Sequence, residues 1–362
     1  MFSILSPDGE VKSEADIPAL GLDQQLHLYR LMCLNRMVDD QMIRLQRQGR
    51  LAFYVGSRGE EAAIIGSAFA LEQRDWVLPC YREMGAALVK GFPLIDLFSQ
   101  FFGTSRDLTK GRQMPNHYAS YDLRVTSISS PVGSQIPHAI GLAMGARLAG
   151  RDDVALVYFG DGATSQGDFH VATNFAGVFK TPTVLFCRNN QWAISVPVES
   201  QTASRNMAVK AVAYGIEGVR VDGNDIFAVY DVTSKAVAKA RRGEGPTLIE
   251  AVTYRRGGHS TSDDPNAYRD VAEVEPWVEL DPILRFRLYL TRQGHWDDDK
   301  EQAQEDEIRA QIRSTLEEAY SSGPPSLDTI FDDVYDEMPW HLREQMESVC
   351  VPEEFQTVEQ GT

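Results

Sequence analysis

An α/β fold, a parallel sheet flanked by helices, is predicted by three features of this sequence. Five short segments read as nearly continuous apolar runs, at 76–80, 154–159, 183–187, 219–221 and 247–254. Small-residue or amphipathic stretches that suit helices lie between them, at 136–149, 164–179 and 225–241. Strands that are apolar on both faces and alternate with helices imply a sheet covered on both sides. The third feature is bulk: 362 residues, 43% hydrophobic and 24% charged, suffice for a substantial core.

Residues 1–50 are expected to form an N-terminal arm and a helix. Leu28, Leu31, Leu34, Val38, Met42 and Leu45 recur at helical spacing, and Gly49 is placed to end that helix. The α/β alternation occupies 51–275. From 276 to 362 the pattern is a helical C-terminal extension. Asp281-Pro282 pairs a capping side chain with proline at the first helical position, and Gly294 can end that helix. A charged helix carrying Ile308, Ile312, Leu316 and Tyr320 follows, stopped by Ser321-Ser322-Gly323-Pro324-Pro325.

With 35 basic and 52 acidic side chains the net charge is −17, which would repel phosphate backbones. Nucleic acid and membrane surfaces are therefore not expected partners. No apolar run approaches the roughly 18 residues of a membrane span. Cys33, Cys80, Cys187 and Cys350 form no CxxC pair and suit reduced, mostly buried thiols. The first 19 residues carry Asp8, Glu10, Glu14 and Asp16 and no arginine, unlike a secretory or transit peptide. A cytoplasmic location is expected.

In open parallel sheets, ligands sit beyond the carboxyl ends of the strands. The 154–159 run leads into Gly160-Asp161-Gly162-Ala163, and the 183–187 run into Arg188-Asn189-Asn190-Gln191-Trp192. The 26 residues between Gly162 and Asn189 are enough for one helix and a returning parallel strand. The Asp161 carboxylate and the Asn190 amide oxygen can then meet, and hard oxygen ligands suit Mg²⁺ or Ca²⁺. Gly162 and Ala163 leave room for a diphosphate at the start of the next helix. A lone GDG is common turn chemistry, whereas GDG followed at this distance by NN is a stronger signal. A nicotinamide dehydrogenase is disfavoured, since no glycine-rich GxGxxG turn follows a strand.

The pairing of Gly160-Asp161-Gly162 with Asn189-Asn190 resembles the thiamine-diphosphate signature of decarboxylases and 2-oxo acid dehydrogenases. Four further segments are similar to the alpha subunits of branched-chain 2-oxo acid dehydrogenases: TKGRQMPNHY (109–118), SSPVGSQIP (129–137), VDGNDIFAVY (221–230) and GGHSTSDDPNAYR (257–269). The resemblance runs in order from about Leu28 to Glu347. Compared with mitochondrial members, Asp161 stands for Glu, Trp192 for Tyr, Ser134 for Thr and Gly258 for His.

The resemblance implies that 51–275 is a thiamine-diphosphate-binding domain. Asp161, Asn190 and the carbonyl of Trp192 would hold Mg²⁺. Tyr81, Arg82, Arg188 and His259 would contact the diphosphate end, with Gly162, Ala163 and Ser130 lining its path. Ser129, Pro131, Ser134 and Gln135 match a monovalent-cation loop, for K⁺. Phe53 and Val132 would border the substrate side chain. His259 and Ser130 are the catalytic candidates, His259 for stabilising charge or passing a proton. Ser260, with Asp263 and Asp264, resembles a loop that mitochondrial kinases phosphorylate.

The implied activity is oxidative decarboxylation of a branched-chain 2-oxo acid and acyl transfer to a lipoyl group of a transacylase core. The implied partner is a beta subunit in an alpha2-beta2 heterotetramer, which supplies a glutamate that this chain lacks. A pyruvate or acetoin substrate is the nearest alternative, and a non-catalytic scaffold of the same fold is another.

Overall fold

The computed structural model describes residues 1–12 and 16–349, so Cys350 lies outside the described residues. The chain passes through α1 (Leu22–Arg47) and α2 (Glu61–Phe69) before laying down β1 (Trp76–Leu78). Next come α3 (Met84–Val89), α4 (Leu94–Phe102) and α5 (Gln135–Leu148), which leads into β2 (Ala155–Gly160). α6 (Gly167–Phe179) connects β2 to β3 (Thr183–Asn189). A small hairpin of β4 (Trp192–Ala193) and β5 (Val196–Pro197) and the short α7 (Val198–Gln201) precede β6 (Glu217–Asp222), α8 (Ile226–Arg241) and β7 (Thr247–Val252). Beyond the sheet lie α9 (Glu275–Glu279), α10 (Pro282–Arg292), α11 (Asp298–Ser321) and α12 (Trp340–Val349).

The main sheet has the order β1-β2-β3-β7-β6, and every adjacent pair is parallel. All five expected strands are present. β3 runs past its apolar stretch through Arg188 and Asn189, because its ladder with β7 continues through Arg188↔Ala251 and Asn189↔Val252. Side chains alternate across the sheet. Leu156, Tyr158, Val184, Phe186 and Ile249 share one core with α1, α2 and α8. Ala155, Val157, Phe159, Leu185 and Leu248 share another with α5 and α6.

The expected face of α1 is buried throughout, from Leu28 to Leu45, and Gly49 follows the helix with φ +73°. Asp281 caps α10, accepting from the amides of Ile283 (2.9 Å) and Leu284 (3.1 Å). The first residues dock on the sheet edge. Phe2 bridges Val221 in parallel, and the Ile4 and Leu5 amides donate to Asp225 Oδ2, each at 2.6 Å. That contact covers an edge strand that would otherwise be open. The helix expected at 164–179 begins later, at Gly167, after a 3₁₀ turn over Asp161–Ser165. Cys33, Cys80 and Cys187 are free and buried. Among the described residues, no helix is long and apolar enough to cross a membrane.

Candidate active site

Strand order decides where the chemistry can gather. β2 and β3 are neighbours, in a register that pairs Gly160 with Arg188. Asp161 and Asn190 therefore emerge side by side at the carboxyl end of the sheet. Both line a cavity of about 170 Å³, with Gly162, Ala163 and Trp192. Tyr81, Arg82, Arg188, His259 and Val132 complete the wall among the expected residues.

Asp161 is 1% exposed, and its Oδ2 has no hydrogen-bond partner among the described residues. Burial pushes its carboxyl up to about 6, although the hydrogen bond from its own backbone pulls the other way. An orphaned buried carboxylate oxygen is what a cation site looks like without its cation. Asn190 donates Nδ2 to Glu60 Oε1 at 3.0 Å, which fixes the amide and leaves Oδ1 as its free end. The Trp192 amide donates to that oxygen at 3.3 Å. The Trp192 carbonyl accepts from Arg255 Nη1 at 3.3 Å.

One carboxylate, one amide oxygen and one carbonyl form a hard but incomplete donor set. A magnesium ion here would complete its shell with phosphate oxygens and water. No group of three or more His, Cys, Asp or Glu side chains among the described residues could hold a metal. The site fits a metal that arrives with a phosphate ligand.

The arginines behave differently from one another. Arg188 is buried and clamped between Glu60 and Glu83, so its charge is already matched. The other Glu83 oxygen accepts from the Cys80 amide (2.8 Å) and the Tyr81 amide (2.9 Å), which sets the start of the Tyr81-Arg82 segment. Arg82 donates to the Gly56 carbonyl and to the His259 carbonyl, the latter at 2.7 Å. Arg255 was not foreseen. It is buried, and it donates to the Ile194 carbonyl (2.7 Å) and the Tyr268 hydroxyl (2.6 Å). Burial, with Arg82 nearby, holds its pKa below the usual range. The buried cations Arg82, Arg188 and Arg255 are matched in number by the buried carboxylates Glu60, Glu83 and Asp161. An incoming diphosphate would therefore require a divalent cation beside it.

His259 is held by Arg82, whose Nη2 lies 3.2 Å from Nδ1. A guanidinium can only donate, so Nδ1 is the bare nitrogen and Nε2 carries the proton. Burial, then Arg82 and Arg255, lower its pKa to about 4. At neutral pH the ring is an uncharged Nε2–H donor. Of the two roles expected of it, an uncharged ring suits stabilising charge through its Nε2–H.

Ser129, Ser130, Pro131, Ser134, Gln135 and Phe53 lie off the cavity wall. Ser130 is exposed, with its hydroxyl 3.3 Å from His117 Nε2. Ser134 donates its hydroxyl to the Pro131 carbonyl at 2.9 Å, and buried Gln135 donates Nε2 to the Tyr158 carbonyl at 2.8 Å. Ser129 belongs to the same turn ahead of α5. Phe53 is half-buried and does not line the cavity. Gly162 makes room mainly for protein: an added Cβ would meet the Ala193 side chain at 2.6 Å.

Glu60, Glu83 and Arg255 went unread in the sequence. Arg255 alone left a trace there, standing directly after an apolar run where ligand-facing loops begin.

Residues 29–328 match the protein family described as dehydrogenase E1 component. The chain belongs to this family. Among its E1-component relatives, the human mitochondrial 2-oxoisovalerate dehydrogenase subunit alpha is 42% identical over 351 residues, covering 97% of this chain and 79% of that protein. The counterpart from Dictyostelium discoideum is 42% identical over 350 residues, 96% of this chain and 79% of that protein. The 3-methyl-2-oxobutanoate dehydrogenase subunit alpha of Mycobacterium tuberculosis is 44% identical over 354 residues, 96% of this chain and 92% of that protein.

Proposed function

We propose that this chain is the alpha subunit of the decarboxylating component of a branched-chain 2-oxo acid dehydrogenase complex. It would act in the cytoplasm, in an alpha2-beta2 heterotetramer, and pass the acyl group to a lipoyl group of a transacylase core. The substrate reading draws on the names of the relatives at 42–44% identity. The observation that carries the cofactor reading is the unpartnered Asp161 oxygen, buried beside the Asn190 amide at neighbouring strand ends.

Thiamine diphosphate, when bound, supplies a carbanion and an electron sink for loss of carbon dioxide. The chain's own residues would do the rest. Asp161, the Asn190 amide oxygen and the Trp192 carbonyl would hold Mg²⁺ at the diphosphate. Arg82 and Arg255 would offset phosphate charge, while Arg188 keeps Glu60 and Glu83 in place. Tyr81 and His259 pack edge to face, with ring centroids 5.8 Å apart, and close one wall against water. The neutral His259 would offer its Nε2–H as a hydrogen bond to charge that develops during acyl transfer. The oxygen-rich 129–135 turn would take K⁺, and Val132 would border the substrate.

The test uses the chain co-expressed with its beta subunit. Thiamine diphosphate with Mg²⁺ should raise the melting temperature, because a ligand bound only by the native state stabilises it. Asp161→Ala should abolish that rise, and an undiminished rise in this variant would remove the metal assignment. Turnover of 3-methyl-2-oxobutanoate should exceed that of pyruvate. The reverse preference would move the chain to the pyruvate type.

A further inference from the structure

The His259 loop is open on two sides. Its inner face borders the cavity at Asp161, and its outer face borders a second cavity of about 550 Å³ lined by Ile43, Arg47, Arg58, Gly258 and Ser260 among others. A loop between two cavities has little packing to hold it, so polar anchors fix its place. Several of these come from the extended stretch 54–57. The Tyr54 amide donates to Thr261 Oγ1, and the Thr261 amide to the Tyr54 carbonyl, each at 3.0 Å. The Gly56 carbonyl accepts from Arg82, whose guanidinium also holds the His259 carbonyl.

Asp39 of α1 grips that stretch from beneath. Its Oδ1 accepts from the Tyr54 hydroxyl at 2.8 Å. Its Oδ2 accepts from the Ser57 amide (2.8 Å) and the Ser57 hydroxyl (2.9 Å). Asn35, one turn earlier, donates Nδ2 to Ser57 Oγ at 2.8 Å, and Asn116 receives the Val55 amide at 3.0 Å. Gly56 passes so close that an added Cβ would sit 3.4 Å from the Asp39 carboxyl. Asp39 is 1% exposed, and these partners are hydroxyls and an amide rather than a cation. Burial pushes its carboxyl up to about 7. A carboxyl held in such surroundings is costly for folding.

We infer that Asp39 is a positioning residue for the active site, fixing Arg82 and the His259 loop through the 54–57 stretch. This rests on the roles proposed above for Arg82 and His259. In the co-expressed complex, Asp39→Ala should lower turnover per bound cofactor roughly tenfold or more, since misplacement by about 1 Å carries penalties of that order or larger. Amide exchange of residues 257–264 should quicken in parallel. Asp39→Asn keeps an acceptor for Ser57 and offers a donor to the Tyr54 hydroxyl, so it should recover most of both readouts. A lowered melting temperature, with turnover per bound cofactor and loop exchange unchanged, would overturn the inference.

Should the alanine variant fail to fold, Tyr54→Phe deletes one bond and should still reduce turnover about threefold while loosening the loop. No change in either readout sinks the inference equally. His259→Ala, measured alongside, separates the two claims. Loss of activity with His259→Ala, with none from Asp39→Ala and no faster loop exchange, rejects Asp39 and keeps His259. Faster exchange and lost turnover from Asp39→Ala, with a harmless His259→Ala, keeps Asp39 and rejects His259.

Discussion

Asp161 and Asn190 stand at the ends of two strands locked in one ladder, whereas His259 hangs on a loop placed by side-chain hydrogen bonds. The first pair sits where backbone pairing from Ala155↔Thr183 to Gly160↔Arg188 puts it. The loop closes on itself through Asp263, whose Oδ2 accepts from the His259 amide and the Tyr268 hydroxyl, each at 2.6 Å. Gly258 suits that closure, since a Cβ there would approach the Ser260 and Asp263 carbonyls at 3.1 and 3.2 Å. A ladder spreads its positioning energy over many backbone bonds, so few single side chains matter to it. A loop concentrates that energy in a handful of groups. Removing a buried partner beneath the strand ends should thus show mainly as lost stability, and removing His259 as lost chemistry.

The largest effect that would sharpen this contrast is expected at Glu60. It joins Arg188 and Asn190 beneath the strand ends with no exposure to solvent. Glu60→Gln leaves Arg188 with only Glu83, and breaking a buried pair costs roughly 3–5 kcal/mol; the surviving partner points to about 3. Chemical denaturation of the complex measures it, and a midpoint unchanged from the parent would break the comparison. His259→Ala should behave in the opposite way. Stability should shift by less than about 1 kcal/mol, the range for a half-exposed loop residue. Lipoyl acylation should fall at least ~10-fold, as for loss of a positioned hydrogen-bond donor, while decarboxylation read with an artificial electron acceptor is spared more. Equal losses in the two half-reactions would remove His259 from acyl transfer.

The same contrast explains which parts were legible in the sequence. Strands buried on both faces write themselves as apolar runs, and all five were readable. α2 was not, because Glu61 through Ala68 is buried all round and so lacks the polar face that gives a helix its period. The β2 and β3 ends were readable because a fixed spacing brings Asp161 and Asn190 together on adjacent strands. Glu60 and Glu83 were not, since their partners lie 128 and 105 positions away in the chain (188 − 60 and 188 − 83). No local pattern encodes such a pair. The hydrogen bonds of Tyr54, next to Phe53, were equally illegible, since its partners Asp39 and Thr261 lie far off in the chain.

The smallest effect concerns Asp39, which lies in the core yet serves the loop. Its carboxyl titrates near 3.8 when unfolded and at about 7 when folded, chiefly through burial, with the Ser57 amide opposing and the nearby Glu61 adding to the rise. The folded state therefore binds the proton more tightly than the unfolded one. Stability from this group is present in full below about pH 4 and is lost as the pH climbs through 7. Asp39→Asn cannot titrate, so parent minus variant isolates this group. Tyr54 and Tyr118, which also face it, stay protonated because burial raises their pKa values, and His259 cancels in the difference. Between pH 6 and 8 the parent should lose about 1 kcal/mol relative to Asp39→Asn. Parallel denaturation curves across that range would mean that the carboxyl keeps one protonation state in the fold between pH 6 and 8, which removes burial as the source of a pH dependence at this strap.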